Sequence, residues 1–528
     1  MPDSDFRYSA TVRACAVGSC VLALAGLAGL VGMRFARGGI PSEPGSRVAW
    51  LEDEVKSDPA EWKDLAFAYV NAQQYLKVPG AFRKAADFYR QQGDVNAAIQ
   101  MERSAEKYLA EARIYVEKPT NRKEAEKYYT GAKFEPVYGS YLGAFIENED
   151  MITDRYVDEQ GYKRPRVAAW DKAVGVKHAI FFRYLGYGRP FPMKWAEDLR
   201  NHQAAAQLAF EPKTLAEVKD DAYLRGFAKS AKASGIPIFL RFASEMNGNW
   251  TPYHGDPKAY IEKWRMVARV MREEAPNVAM LWTVFETPIT KVEEYYPGAE
   301  WVDWVGVNVY SVPYFNNNRD QKADWRNPAD GVKFVYDKYA AKHPIMVAEY
   351  AASHLSSLDN VYRGETARIK LSQFYASLPR LYPRIKAVCW LSMNAIAHAI
   401  PGRQKNNYSL LYDPPKAQRY KEMVSNPYFL KDLVLGEQPQ MSPVFYQLLA
   451  GSTGLDFPMK LSAWARSWEN VPEVVWMVNG KPASRMRDVG TYGFELDRAE
   501  SVGVKVLDIK GRVAAGVTVA LGPVTQNP

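Results

Sequence analysis

Ile236–Tyr253, IPIFLRFASEMNGNWTPY, changes character halfway along. Its first half, Ile238-Phe239-Leu240-Arg241-Phe242, is a short apolar run of the kind that fills a fully buried strand. Ser244, Glu245, Asn247, Gly248, Asn249 and Trp250 follow at once, a carboxylate beside amide and hydroxyl groups and an indole. In a parallel α/β protein the carboxyl end of a strand, where it gives way to a loop, is where ligands and chemistry gather.

Outward from this stretch, strand-like runs alternate with amphipathic helices from Phe134 onward. Strands are expected near 136–141, 178–184, 205–210, 237–242, 278–284, 302–310, 344–350 and 387–392, with helices near 215–234, 257–274, 328–342 and 365–381. The second of these helices opens with Asp256-Pro257, a capping residue followed by proline. Eight strand-helix units in residues 134–450 are what an α/β (β/α)₈ TIM barrel requires. A doubly wound open sheet would announce itself with a glycine-rich phosphate turn, and none of the eight strand ends carries one.

The flanks have other patterns. Between Arg13 and Arg34 lie twenty uncharged residues, ACAVGSCVLALAGLAGLVGM, enough to span a bilayer. Residues 1–37 are therefore a signal peptide or, with no small-x-small cleavage site before the downstream arginines, a membrane anchor. The body is expected to be exported to the periplasmic or extracellular face and tethered through residues 14–33. A Gly/Pro/Ser linker covers 38–48, and 49–133 reads as helical, with one unit resembling a tetratricopeptide helix-turn-helix around Asp87–Ile99. A last helix is expected near 444–449, a linker at 451–454, and a small Ig-like β-sandwich over 455–528, signalled by its Asn479-Gly480 turn. Its Trp464, Trp468 and Trp476 are either core or sugar platforms.

Of the three cysteines only Cys389 lies in the body, so no disulfide framework is available. Net charge is +8 from dispersed Lys and Arg, and without a basic stripe or a known module no nucleic-acid partner is expected.

At the strand ends stand Arg183, Glu211, Glu245, Glu286, Asn308, Tyr310, Glu349 and Trp390. Glu349 follows Ile345-Met346-Val347-Ala348 without an intervening charge, so it terminates a buried strand. Two carboxylates across a barrel mouth suit glycoside hydrolysis, one protonating the leaving oxygen while the other attacks the anomeric carbon, with retention if they stand about 5–5.5 Å apart. The two need different protonation states, and Arg183 and Tyr310 are candidates for favouring an ionised nucleophile. No cofactor or metal is required. The six His show no His-x-x-x-His pair, and no Gly-x-Ser-x-Gly elbow occurs.

Arg241-Phe242-Ala243-Ser244-Glu245-Met246-Asn247-Gly248-Asn249-Trp250 resembles the acid/base motif of glycoside hydrolase family 26, retaining barrel enzymes that include β-mannanases. Tyr295-Tyr296-Pro297-Gly298, Trp301-Val302-Asp303-Trp304-Val305-Gly306 with Asn308 and Tyr310, Ala348-Glu349-Tyr350, and Glu211-Pro212 are similar to its other signatures. The resemblance implies Glu245 as general acid/base, Glu349 as nucleophile and Tyr310 as its hydrogen-bond partner. Trp250 and Trp390 would wall the subsite, with Arg183, Glu211, Arg241, Ser244, Asn247 and Asn308 around the substrate, a β-linked polysaccharide of mannan or glucan type. Ser244 stands where the family usually has His, which leaves a rival: a degenerate barrel that binds polysaccharide or serves as an envelope scaffold without cleaving.

Overall fold

The strand-like runs of the central region are apolar on both faces, so both have to be covered, and the computed structural model shows how. It describes residues 41–119, 121–438, 442–452, 457–488 and 492–521. The anchor or signal expected in residues 1–37 lies outside them. Among the described residues no helix is long and apolar enough to cross a membrane.

Residues up to Leu109 form one unit and those from Ala110 a second. The first is built from α1 (Pro44–Glu54), α2 (Trp62–Asn71), α3 (Val78–Gln91) and α4 (Val95–Lys107) around Leu51, Leu65, Phe82, Ala85 and Met101. The expected helix-turn-helix is the α3–α4 pair, in which Asp94 caps α4 by accepting from the Ala97 amide at 2.9 Å. The expected linker at 38–48 gives way to helix at Pro44, because Glu43 accepts from the Ser46 amide and proline suits a first turn.

The second unit begins with β1 (Glu111–Lys118). Eight parallel strands follow: β2 (Ser140–Phe145), β3 (Ile180–Gly186), β4 (Ala205–Glu211), β5 (Ile238–Phe242), β6 (Val278–Phe285), β7 (Trp304–Ser311), β8 (Ile345–Ala352) and β9 (Ile385–Leu391). They pair in sequence order and β9 closes on β2, giving a (β/α)₈ barrel. The helices between strands are α5 (Val167–Val174), α6 (Met193–His202), α7 (Ala222–Ala233), α8 (Pro257–Glu274), α9 (Lys333–Tyr339) and α10 (Gly364–Leu381), and α11 (Pro414–Met423) follows β9. Only a single 3₁₀ turn, Val292–Tyr295, fills the place after β6. Phe182, Phe239, Leu281, Trp304, Met346 and Cys389 fill the interior, while Leu240, Val307, Tyr350 and Trp390 face the helices. The segment before β2 seals the amino-terminal end of the barrel. Phe134 packs edge-on against Phe239 at 5.8 Å, and the Trp304 indole donates to the Lys133 carbonyl at 2.7 Å.

After the barrel come β10 (Val444–Gln447), β11 (Met459–Arg466), β12 (Glu473–Val478), β13 (Lys481–Met486), β14 (Gly493–Leu496), β15 (Ser501–Leu507) and β16 (Val513–Ala520). They make two antiparallel sheets, β10-β1-β11-β14 and β13-β12-β15-β16. Two sequence expectations are corrected here. Glu111–Lys118, read as part of a helical span, is a strand between β10 and β11, and Val444–Gln447, read as helix, is its edge partner. Both segments carry β-branched and aromatic residues, and pairing across more than 300 positions overrides a local helical pattern. The sandwich therefore takes one of its central strands from ahead of the barrel. Trp464 and Trp476 are 7% and 0% exposed and belong to the packing, Trp476 stacked on Phe494 at 5.0 Å.

Ile114 in β1 is 1% exposed in the sandwich core. Replacing it by Ala is expected to cost about 2–5 kcal/mol, where a solvent-facing helical residue would cost within about 0.5 kcal/mol. Denaturant unfolding followed by circular dichroism and total tryptophan fluorescence distinguishes the two.

Candidate active site

Alternation along β5 turns Phe239 and Arg241 into the barrel and Ile238, Leu240 and Phe242 towards the helices. A guanidinium 1% exposed inside a barrel must be paired to be tolerable. Its partner is Glu349, 3% exposed, with Arg241 Nη2 2.5 Å from Glu349 Oε1.

Strict alternation would not bring Glu349 there. Met346 and Ala348 of β8 face inward, so a regular strand would turn Glu349 outward. A register shift between Val347 and Glu349 against β7 inserts one residue of phase, pairing Glu349 with Asn308 and sending Tyr350 out into the helical layer. Such a bulge re-aims a side chain. Glu349 then accepts from three donors: Arg241, the Tyr184 hydroxyl at 2.6 Å on Oε1, and the Tyr310 hydroxyl on Oε2. Burial, and then the Glu349 charge, push both phenols well above their ordinary range, so they remain donors. Burial pulls the Arg241 guanidinium down, but Glu349 and the other acidic groups around it outweigh that and leave it raised.

Glu245 reaches the same space from the loop after β5. Ala243 and Glu245 have φ of +48° and +61°, conformations that cost non-glycine residues of order 1–3 kcal/mol and persist only where neighbours over-determine them. The neighbours here are the flanking strands: the Ala243 amide donates to the Phe210 carbonyl at 3.1 Å and the Glu245 amide to that of Thr283 at 3.0 Å. Glu245 Oε1 accepts from Asn308 Nδ2 at 2.6 Å and Oε2 from the Trp250 indole at 2.8 Å. Gly248 makes the second bond attainable, since a Cβ there would lie 2.2 Å from the Trp250 ring. Burial, and then the charge of Glu349, push the Glu245 carboxyl above its ordinary value, more than its two neutral donors pull it down.

Beside this pair lies Glu211 at the end of β4. It accepts from the Ser244 hydroxyl at 2.5 Å, the Ser244 amide at 3.2 Å and the Tyr253 hydroxyl at 2.6 Å, and burial raises its carboxyl. Ser244 is thus a tie between the acid loop and β4, with its one hydroxyl proton committed to Glu211.

Of the residues singled out in the sequence, the fold brings together Glu245, Glu349, Arg241, Asn308, Tyr310 and Trp250, with Glu211 and Ser244 alongside. Three are buried away from this mouth. Arg183 was expected beside the nucleophile, but on β3 the inward positions are Phe182 and Tyr184. Arg183 points to the helical side, against Trp195, with Nε 2.7 Å from Glu147 and Nη2 2.9 Å from Asp158. Trp390 was expected to wall the subsite. Cys389 and Leu391 hold the inward positions of β9, so Trp390 is 0% exposed in the helical layer against Tyr350 and Tyr420. Asn247, also 0% exposed, spends its amide on the Phe285 main chain and the Pro288 carbonyl, fastening the loop. Glu286 is paired with Arg326 at 2.6 Å. Tyr184 escaped the sequence reading although the phase of β3 pointed to it: once Phe182 is interior, so is Tyr184. Among the described residues no group of three or more His, Cys, Asp or Glu is placed to hold a metal ion.

Comparison with known proteins finds a family match across the segments around Glu245 and Asn308. Residues 213–329 match the model of Glycosyl hydrolase family 26, a span that holds Glu245, Trp250, Asn308 and Tyr310 and stops short of Glu349. Endoglucanase H of Acetivibrio thermocellus is 23% identical over 247 residues, 43% of this chain and 26% of its own length. A beta-1,3-xylanase of an Alcaligenes species is 24% identical over 122 residues, 22% of this chain and 26% of its own. The chain thus spans about a quarter of the length of these relatives. Among solved structures, a double mutant of an endo-beta-1,4-mannanase of Cellulomonas fimi is similar at 15% identity and TM-score 0.40, over 76% of this chain and 98% of that one. A beta-mannanase of the same family from Bacteroides ovatus gives 16% and 0.39, over 59% and 92%.

Breaking the buried ion pair from one side leaves an uncompensated charge, so Arg241→Leu is expected to destabilise the barrel by about 3–5 kcal/mol. Arg241→Leu with Glu349→Leu is expected to cost less than Arg241→Leu alone. Urea unfolding of the single and double variants, taken as a cycle, checks this.

Proposed function

We propose that this chain, whose residues 213–329 match the model of Glycosyl hydrolase family 26, is a retaining glycoside hydrolase acting on a β-linked polysaccharide. The observation that carries the reading is the contrast between two carboxylates at one barrel mouth. Glu349 faces three donors, one of them a guanidinium, and has only to accept. Glu245 has two neutral donors, and burial with a nearby negative charge favours its protonated form. That is the division of labour between a nucleophile and a general acid.

In the first half of the cycle a Glu349 oxygen bonds to the anomeric carbon as the glycosidic C–O bond breaks, and the Glu245 proton goes to the leaving oxygen. In the second, water attacks that carbon, Glu245 takes its proton and the Glu349–carbon bond breaks, restoring both groups. Arg241, Tyr184 and Tyr310 hold the nucleophile for a single line of approach. Trp250, 42% exposed beside the acid, offers an indole face for a sugar ring. The names of two relatives, an endoglucanase and a beta-1,3-xylanase, support a β-linked polymer, and the resemblance of the Arg241–Trp250 motif points to a mannan-like or glucan-like one. The uncharged run at residues 14–33 supports export and tethering to the membrane. The rival, a barrel that binds without cleaving, rested on Ser244, and Ser244 has a place in the hydrogen bonding of the site that leaves both carboxylates in position.

A panel of β-mannans, β-glucans and xylans identifies the polymer, and proton NMR of early product is expected to show the β-anomer first. Glu349→Ala should abolish cleavage, and Glu245→Ala should reduce kcat/KM by about 10²–10⁴-fold, less for an aryl glycoside whose leaving group needs no proton. Unchanged cleavage in both variants would sink the assignment.

The pH profile is a separate check. Glu245 must carry its proton to act, so activity should persist above the ordinary glutamate range and fall as pH rises through its raised value. A profile that falls at the ordinary value contradicts the environment described.

A further inference from the structure

Asn308 lies on β7 with Phe285 of β6 on one side and Glu349 of β8 on the other, and it is 1% exposed. Its Nδ2 donates to Glu245 Oε1 at 2.6 Å. Its Oδ1 is buried with no hydrogen-bond partner. A buried amide normally has both ends engaged, so an unmet oxygen on a side chain bonded to Glu245 calls for an explanation. Since nothing binds Oδ1, nothing but Glu245 fixes which way the amide is turned, and half a turn about its last side-chain bond exchanges donor and acceptor.

The other side-chain partner of Glu245 can receive no proton from it. The Trp250 indole is a donor only, able to donate to either form of the carboxyl but without a lone pair for the acid proton. Glu245 has to exist in both forms, protonated before the leaving group departs and ionised when water attacks.

We propose that Asn308 is a positioning residue that keeps Glu245 in place through both protonation states, donating through Nδ2 when Glu245 is ionised and accepting at Oδ1 when it carries the proton. This rests on the two-glutamate reading above and goes beyond it: the amide, placed by register next to the nucleophile, is what allows one carboxyl to act as acid and then as base without moving. A residue there that only touched sugar would have no need of a bond to Glu245. One that only supported the fold would have its oxygen satisfied.

Asn308→Asp, nearly isosteric, replaces the switchable amide with a second acid. Asn308→Ser shortens the side chain and loses the bond. In the full chain labelled with carbon-13 glutamate, the Glu245 carboxyl is assigned by the signal that Glu245→Gln removes. In Asn308→Asp its titration is expected to move upward by about 0.5–1 pH unit, because a second carboxylate beside it disfavours the ionised form. In Asn308→Ser it is expected to move less, because the donor to the ionised form and the acceptor from the protonated form are lost together. On the polymer that the wild type cleaves, kcat is expected to fall by up to about a hundredfold in Asn308→Ser with KM changed far less, since Glu245 is then held in neither form. A purely structural role would lower activity in proportion to the folded fraction and leave kcat per folded molecule unchanged. A folded Asn308→Ser chain that keeps the wild-type kcat overturns the inference. Failure of the underlying reading shows separately, as a wild-type chain that cleaves nothing in the panel.

Discussion

A barrel interior is a poor place for charge, and the constraint on which this site depends is that Arg241 and Glu349 are there together. Either one alone would carry a desolvation penalty of several kcal/mol. Paired at 2.5 Å they are tolerable, and the cluster around them follows from keeping them so. Tyr184 and Tyr310 supply the remaining donors to the carboxylate, and the aromatic faces of Phe182 and Tyr184 lie 5.9 and 5.4 Å from the guanidinium carbon. Even so, Arg241 Nε and Nη1 have no partner. An interior that retains a strained loop, unmet donors and a buried ion pair has put stability second at this point, as sites that do chemistry commonly do.

The scaffold around it makes that tolerable. Large aromatic side chains pack both faces of the strands, with Trp304 and Phe239 inside and Trp264, Trp282 and Tyr350 outside. The segment that seals the barrel floor belongs to the same run of chain that supplies β1 to the sandwich, so the barrel is inserted into the sandwich instead of preceding it. Bidentate contact between Arg466 of β11 and Asp330, at 2.7 and 3.0 Å, and the Trp464 indole on Ser377 at 2.9 Å add a second seam to the covalent one. The mouth, at the opposite end of the strands from that floor, is left to its loops.

How much of this could be read in the sequence depended on which period carried the information. The strands announced themselves because a buried parallel strand is a continuous apolar run, and Pro257–Glu274 was legible to the residue because a capping Asp and a proline mark its start. Which side a residue faces was harder. Arg183 and Trp390 were chosen for their chemistry at strand ends, yet each is one position out of phase with the interior, as Phe182 and Cys389 show. Glu349, expected to terminate its strand, lies within Ile345–Ala352 and faces inward for a reason the sequence does not display. Its inward turn depends on a shift of register in β8, and Ile345-Met346-Val347-Ala348 has no alternation from which to infer one. The role of β1 was invisible for a different reason: its partners are more than 300 residues away, and local pattern has no access to them.

The two carboxylates finally differ by position along the barrel more than by residue type. Glu349 ends up on the strand itself, where inward neighbours on β3, β5 and β7 can each contribute a donor, one of them cationic. Glu245 sits beyond the end of its strand, on a loop fastened by its amides to β4 and β6, where the donors within reach are an amide and an indole and neither carries charge. The Glu349 charge then acts on Glu245 without a comparable cation of its own to offset it. Two residues of the same kind, with the same intrinsic acidity, stand in different surroundings because one is inside the ring of strands and the other at its rim.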